Sequence, residues 1–316
     1  MDWFAARIDG PLVAVRAIHF AATSVMAGSL LFPVVVAPVC HLDQAASGLL
    51  RTQRLQLGWI GLAVTLASGL TWLLLEASSM SGLPVREATT SQVLLTVVQH
   101  TQFGWICKIR LALVLVLALC LTLERLAPFR WAAIVAALAL TAAIAWTGHA
   151  ASTMGKWGLL HLSADVLHLV TGAAWIGGLV ALVRLLAETR REPALMPFAR
   201  SAIRRFSMLG ILSVGTLLLS GTVNAWMLGG SFRAIAVTDY GRLLLLKITL
   251  FAVMVAIAAI NRLWLAPKLE ADAPREPQLG IPVQLERNSL IEIGLGLIIF
   301  ALVGVLGTLH PAIHFP

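Results

Sequence analysis

The stretch HLSADVLHLVTGAAWIGGL, residues 161–179, decides how the chain is read. After His168 it runs without a charge, as a segment dissolved in lipid does, yet His161, Asp165 and His168 come first. Groups of that kind are expensive inside a bilayer and need a purpose. Working outward, apolar runs of about 20 residues, the length that crosses a bilayer, fall near 12–38, 55–77, 104–123, 131–148, 160–186, 206–228, 242–265 and 289–309. Across 316 residues, 59% are hydrophobic and 12% charged, about half the charged content of a soluble domain. The expected fold is an all-α polytopic membrane protein of eight transmembrane helices.

The breaks between runs carry Pro, Gly or charge, as in SSMSGLPVREATTSQ, ETRREPALMPFARSAIRR and PKLEADAPREPQLGIPVQLER; the last two read as amphipathic or irregular connectors. Loops after the first, third, fifth and seventh spans hold 14 of the 23 Lys and Arg residues, among them Arg51, Arg125, Arg190, Arg204 and Arg287. Basic loops stay cytoplasmic, which puts both termini in the periplasm. The net charge of +8 is therefore assigned to topology, and no nucleic-acid partner is expected. No basic region leads directly into an apolar core at the start, and no A-x-A site follows, so the first span reads as permanent. Cys107 and Cys120 are about 20 Å apart on one helix, too far for a disulfide. No C-x-x-C pair or phosphate-binding G-x-x-x-x-G-K-[ST] loop occurs,. Seven of the eight histidines fall toward the periplasmic ends of spans, and only His41, beside Cys40, falls on the other side.

The two halves repeat each other. IHFAATSVMAGSL (18–30) aligns with LHLVTGAAWIGGL (167–179), matching His19 to His168 and Gly28 to Gly177. ASGLTWLLL (67–75) aligns with LSGTVNAWML (219–228), and TQFGWICKIRLAL (101–113) with TDYGRLLLLKITL (238–250), which matches Arg110 to Lys247. Each half closes on a histidine, in TGHA (147–150) and GTLHPA (307–312). The expectation is two parallel four-helix repeats, 1–148 and 149–316, related by an axis along the membrane normal.

His161, Asp165, His168, Gly172 and Trp175 share one helical face by spacing. The matching face of the first span carries Arg16, His19, Thr23 and Met26, with Arg16 at the position of Asp165. That arrangement predicts an ion pair between the halves and a shared interface for His19 and His168. Neutral imidazoles with a carboxylate between them are metal-ligand chemistry, and imidazole and thioether donors suit copper or zinc. The candidate ligands are His19, His149, His161, His168, His310, His314 and Met154, supported by Asp165, Arg16, Met26 and Trp175. Helix–helix hydrogen bonding competes for the buried histidines, solvation for the terminal ones and core packing for the methionines. Haem is the alternative ligand, with His19 and His168 as axial donors. Arg110 and Lys247 would then hold its propionates, or else pair or snorkel to the interface. Glu292 either joins a proton path or pairs with an Arg. Gly177 and Gly178 read as positions where helices approach closely.

Taken together, GHA…HLSADVLHLVTGAAWIGGL, RRFSMLGILSVGTLLLSGTVNAW, TDYGRLLLLKITLFAVMVAIAAINR and ERNSLIEIGLG…GTLHPA resemble the copper resistance D family of bacterial inner-membrane proteins. The resemblance is strongest over about 147–312. It implies eight spans, an inner-membrane location and copper import, without an enzymatic reaction. It also implies a separate periplasmic copper chaperone of the CopC type, since no such domain is fused to this chain. The His-then-Trp-Gly helix also resembles a haem-biosynthetic membrane family, which sustains the alternative of a haem-binding redox membrane protein.

Overall fold

The computed structural model describes residues 9–36, 44–271 and 280–314, and every regular element among them is helical. The first half comprises α1 (Gly10–Val36), α2 (Gln44–Ser81), the short α3 (Val85–Ala88) and α4 (Ser91–His100), then α5 (Gln102–Thr122) and α6 (Ala127–Ala142). The second comprises α7 (Lys156–Thr189), α8 (Met196–Gly229), the short α9 (Phe232–Val237), α10 (Asp239–Ile260), α11 (Ala266–Ala271) and α12 (Gly280–Leu306). Eight of these, α1, α2, α5, α6, α7, α8, α10 and α12, are long and apolar enough to cross a membrane. Their outer surfaces carry bare apolar side chains, Leu219 at 75% exposure among them, as lipid-facing residues do. His41 and Cys40 lie outside the described residues.

Several helices outrun the apolar runs that signal them. Helix α2 continues well past 55–77 in both directions, and α8 begins at Met196 inside the connector that reads as amphipathic or irregular. At about 1.5 Å per residue the 38 residues of α2 far exceed a bilayer core of roughly 30 Å,. The polar ends stay helical because their backbone bonds need no lipid, and their side chains find partners just beyond it. Arg51 donates to Glu124 at 2.6 Å, Arg54 pairs with the same carboxylate, and Arg190 meets Glu286 at 2.8 Å. Burial alone would raise the Glu124 carboxyl. The hydrogen bonds and charges of Arg51 and Arg54 outweigh it and hold the group below the usual carboxylate range.

Local chemistry sets the other helix starts. Thr101 and Thr238 cap α5 and α10, their hydroxyls accepting from Gly104 N at 2.9 Å and Gly241 N at 3.1 Å. A side-chain oxygen at that position satisfies an N–H the helix leaves unpaired. In both places a short helix, α4 or α9, folds directly against the capped turn.

At the centre α1 packs along α7, flanked by α2, α6, α8 and α12. A Cβ on Gly28 would sit 2.6 Å from Gly177 Cα, and one on Gly177 would sit 2.8 Å from Gly28 Cα. The backbones are in direct contact, which in lipid is how helices gain van der Waals attraction without a hydrophobic drive. Gly304 of α12 likewise packs on Val13 O of α1. The start of α1 therefore sits beside the end of α12. Arg-bearing connectors occupy one end of the bundle and most histidines the other, called here the arginine end and the histidine end.

Candidate functional site

Two polar centres lie toward the histidine end, one built on α1 and one on α7. On α1, His19 is 1% exposed and its Nδ1 lies 2.9 Å from Ser68 Oγ of α2. The Ser68 hydroxyl already donates to Val64 O at 2.6 Å, so it accepts from the imidazole. That fixes the proton on Nδ1 and leaves Nε2 with a free lone pair; this atom is buried without a partner. Gly69 makes room beside the ring, and Trp72 meets it edge-on with centroids 5.6 Å apart.

The α7 centre has the same construction. His168 Nδ1 lies 3.1 Å from Ser220 Oγ of α8, that hydroxyl donates to Thr216 O at 2.7 Å, and Gly221 stands beside the ring. The proton is again placed on Nδ1, which leaves the lone pair on Nε2. Holding one imidazole nitrogen in a hydrogen bond orients the other as a ligand, the usual support of metal-binding histidine.

The charges beside these rings do not pair with each other. Arg16 donates to Gly307 O at 3.0 Å, at the carbonyl end of α12, and its guanidinium lies 5.3 Å from the Trp72 ring centroid. Arg110 lies 5.0 Å from the same ring, and Trp72 Nε1 donates to Glu76 at 3.0 Å. Asp165 accepts from Asn224 at 3.1 Å, with Lys247 within electrostatic reach. The predicted Arg16–Asp165 ion pair is therefore not formed. Each residue finds a partner on the neighbouring helix, Trp72 for the cation and Asn224 for the carboxylate. His19 and His168 do not turn to a shared interface either, because Ser68 and Ser220 draw them toward α2 and α8.

The remaining candidates scatter. His161 is buried and bonded to Thr153 Oγ1 at 2.7 Å. His149 reaches Leu306 O at 3.2 Å and lies against Tyr240. Met154 is 90% exposed on the loop between these two histidines, and His310 is exposed. Met26 is wholly buried beneath Gly61, and Trp175 is buried edge-on to Phe251, so both are packing residues here. The His314 side chain lies outside the described residues. Residues sharing a face of α7 by spacing thus diverge at their tips, and among the described residues no three His, Cys, Asp or Glu groups gather closely enough to hold a metal ion. Sequence reasoning missed Ser68, Ser220, Thr153 and Asn224. A signal for the serines was present, since a Ser-Gly pair stands at aligned positions in both halves.

An eight-span helical bundle with two matched buried imidazole centres defines a polytopic class of membrane protein. Comparison with known proteins narrows it. The family described as Copper resistance protein D matches residues 200–306, and the Copper resistance protein D-like N-terminal domain matches residues 7–159. Copper resistance protein D of Pseudomonas syringae pv. tomato is 30% identical over 80% of this chain and 81% of that one. Inner membrane protein YebZ of Escherichia coli K12 is 28% identical over 95% of this chain and 98% of its own. Copper transport protein CutJ of Bacillus subtilis 168 is 38% identical over 39% of this chain and 22% of its own length. No solved structure matches. The chain belongs to the copper resistance D family, and it is a multi-pass inner-membrane protein. Haem gains no support: its two axial candidates turn to different helices, and these relatives are named for copper or for the membrane.

Proposed function

We propose that this protein imports copper from the periplasm to the cytoplasm, taking the ion as cargo at the histidine end. The observation that carries the reading is the pair of imidazoles, His19 and His168, each held at Nδ1 by a serine with Nε2 left as a donor, in a chain of the copper resistance D family. Copper enters past the exposed Met154 and His310 to His149 and His161, then reaches His168, where Asp165 offsets its charge. His19 serves the same role in the first half. Copper(I) and copper(II) both accept imidazole, and the exposed thioether favours the softer ion.

The topology belongs to the same reading. The arginine end faces the cytoplasm, and both termini face the periplasm, where a separate CopC-type chaperone delivers the ion. Residues 1–148 and 149–316 act as parallel repeats. The matched contacts His19–Ser68 and His168–Ser220, and the matched caps at Thr101 and Thr238, support that division.

Cell-associated copper, measured in a strain lacking the gene and complemented with each variant, tests the proposal. His161→Ala and His168→Ala should lower accumulation toward the empty-vector level while the protein remains in the membrane at wild-type amount. Accumulation that is unchanged by the wild-type protein, or reduced by it, overturns import.

A further inference from the structure

A third polar centre lies toward the arginine end of the bundle, away from the two histidine centres described above. Glu292 of α12 is 1% exposed, yet among the described residues it makes no ion pair. Asn261 Nδ2 donates to its Oε1 at 2.9 Å, and Asn261 Oδ1 accepts from Asn288 at 2.7 Å. The other carboxyl oxygen, Oε2, is buried without a partner. Glu292 lines a cavity of about 240 Å³, together with Asn261, Ser289, Ser207, Trp175 and Leu179.

The backbone is unusual at the same place. Asn261–Leu265 forms a π-helical turn between α10 and α11. Such turns are rare and concentrate at functional sites, because the widened turn re-aims a side chain. Here it opens with Asn261, the residue that holds the carboxyl.

We propose that Glu292 is a proton-binding site, loaded and unloaded through this cavity. An isolated carboxylate in a low-dielectric interior is unstable unless it is paired or neutralised. Arg262 is the other charged residue of the lining, but its guanidinium is turned away, donating to Ser207 at 2.7 Å and toward Met208 Sδ at 3.6 Å. The α7 side of the cavity is apolar, and α8 contributes Ser207 as its polar group. Helix α1 also packs on α12, but its titratable groups, Arg16 and His19, are engaged at the opposite end. The orphaned Oε2 is where the proton sits, and Asn261, donating to Oε1, steadies the ionised form once the proton leaves. Copper fits this donor set poorly, since its groups are hard oxygens without imidazole or sulfur. The proposal does not depend on copper import.

An apolar carbodiimide tests it, because the reagent adds to a carboxyl group in its protonated form. Protein in nanodiscs is labelled across about pH 5 to 9 and mapped by peptide mass. The peptide carrying Glu292 should be modified at the acid end, with labelling falling as pH rises. Glu124 and Glu286, ion-paired carboxylates, should stay unmodified. Asn261→Ala should move the midpoint upward by about one to two pH units, since a hydrogen bond to the ionised form is lost. Glu292→Gln should remove the modification from that peptide; if this variant fails to accumulate, the wild-type titration decides alone. A Glu292 that never reacts, or reacts equally at every pH, overturns the proposal, as does a midpoint indifferent to Asn261.

Discussion

Replacing Gly28 by alanine tests the central seam, and the geometry sets both sign and size. The new methyl would lie 2.6 Å from Gly177 Cα and 2.7 Å from Gly178 N. Ordinary van der Waals contact begins at 3.4 Å, and Ala173 O is nearer still than these two atoms, so α1 and α7 must separate by about 1 Å. The obstructing atoms are backbone, which cannot rotate aside as a side chain can. Overpacking of this kind costs about 1–3 kcal/mol, and along a seam the loss of neighbouring contacts adds to it. Gly215 of α8 provides a control of opposite sign, because a methyl there meets nothing within 4 Å. Alanine in a helix interior is favoured over glycine by about 1 kcal/mol. Thermal unfolding in one detergent should therefore rank Gly215→Ala at or above wild type and Gly28→Ala clearly below it. A Gly28→Ala protein as stable as wild type would refute direct backbone contact between α1 and α7.

Three further outcomes are expected. Ser220→Ala should weaken the apparent copper affinity of cells about 10- to 100-fold, the usual effect of losing the group that orients a ligand, whereas Ser220→Thr should restore it; equal defects in both variants would mean that the hydroxyl does not act by holding His168. Glu124→Gln should lower the thermal midpoint in detergent at neutral pH by an amount equivalent to about 1–2 kcal/mol, since the carboxylate is buried but Arg51 is half-exposed,. The Glu124 carboxyl is depressed in the fold, so its contribution is full above the ordinary value of 4.5 and lost as acid protonates the folded group,; a gap between wild type and Glu124→Gln that widens in acid contradicts this sign. A reporter active only in the periplasm should be active when fused after residue 316, and activity of a cytosolic reporter at that site would reverse the assigned orientation.

What the sequence made legible follows from which interactions are periodic. Apolar runs announce spans because lipid tolerates little else, and Gly28 with Gly177 could be matched because a close approach admits no larger residue. The histidine positions were legible for the same reason, as costly groups recurring in two aligned segments. Side-chain direction was not. The spacing of His161, Asp165 and His168 fixes where their Cα atoms lie, but each tip turns to the nearest acceptor or donor, which belongs to another element. The expected ion pair failed similarly, since Arg16 finds a helix-terminal carbonyl and an aromatic face, neither of which carries charge in the sequence. The ends of α2 and α8 were misplaced because arginine interrupts a hydropathy pattern without interrupting a helix. The π-helical turn at Asn261 has no residue signature of its own.

The imidazole centre and the Glu292 cavity are separate in depth, which constrains how they could cooperate. From His168 to Leu179, which lines the cavity, α7 advances 11 residues, about 16 Å at the helical rise,. Over that length the helix carries no charged residue. Its middle, Ala173 to Gly178, is buried, with Trp175 closing on Phe251 and Gly177 seated against Gly28. Along this stretch of α7 an ion leaving the histidines would meet no imidazole, thioether or carboxylate to replace its ligands, so passage requires that layer to yield. The α1–α7 contact is the part least able to do so, because its backbones already touch. The cavity wall is more compliant: it is lined by side chains from α7, α8, α10 and α12, and it contains a turn already departed from α-helical pairing. On the proposed readings, protonation of Glu292 would change the charge on that wall directly, and copper at His168 would change the far side of Trp175. The two events would then act on one layer from opposite faces, and they could be coupled without sharing a ligand.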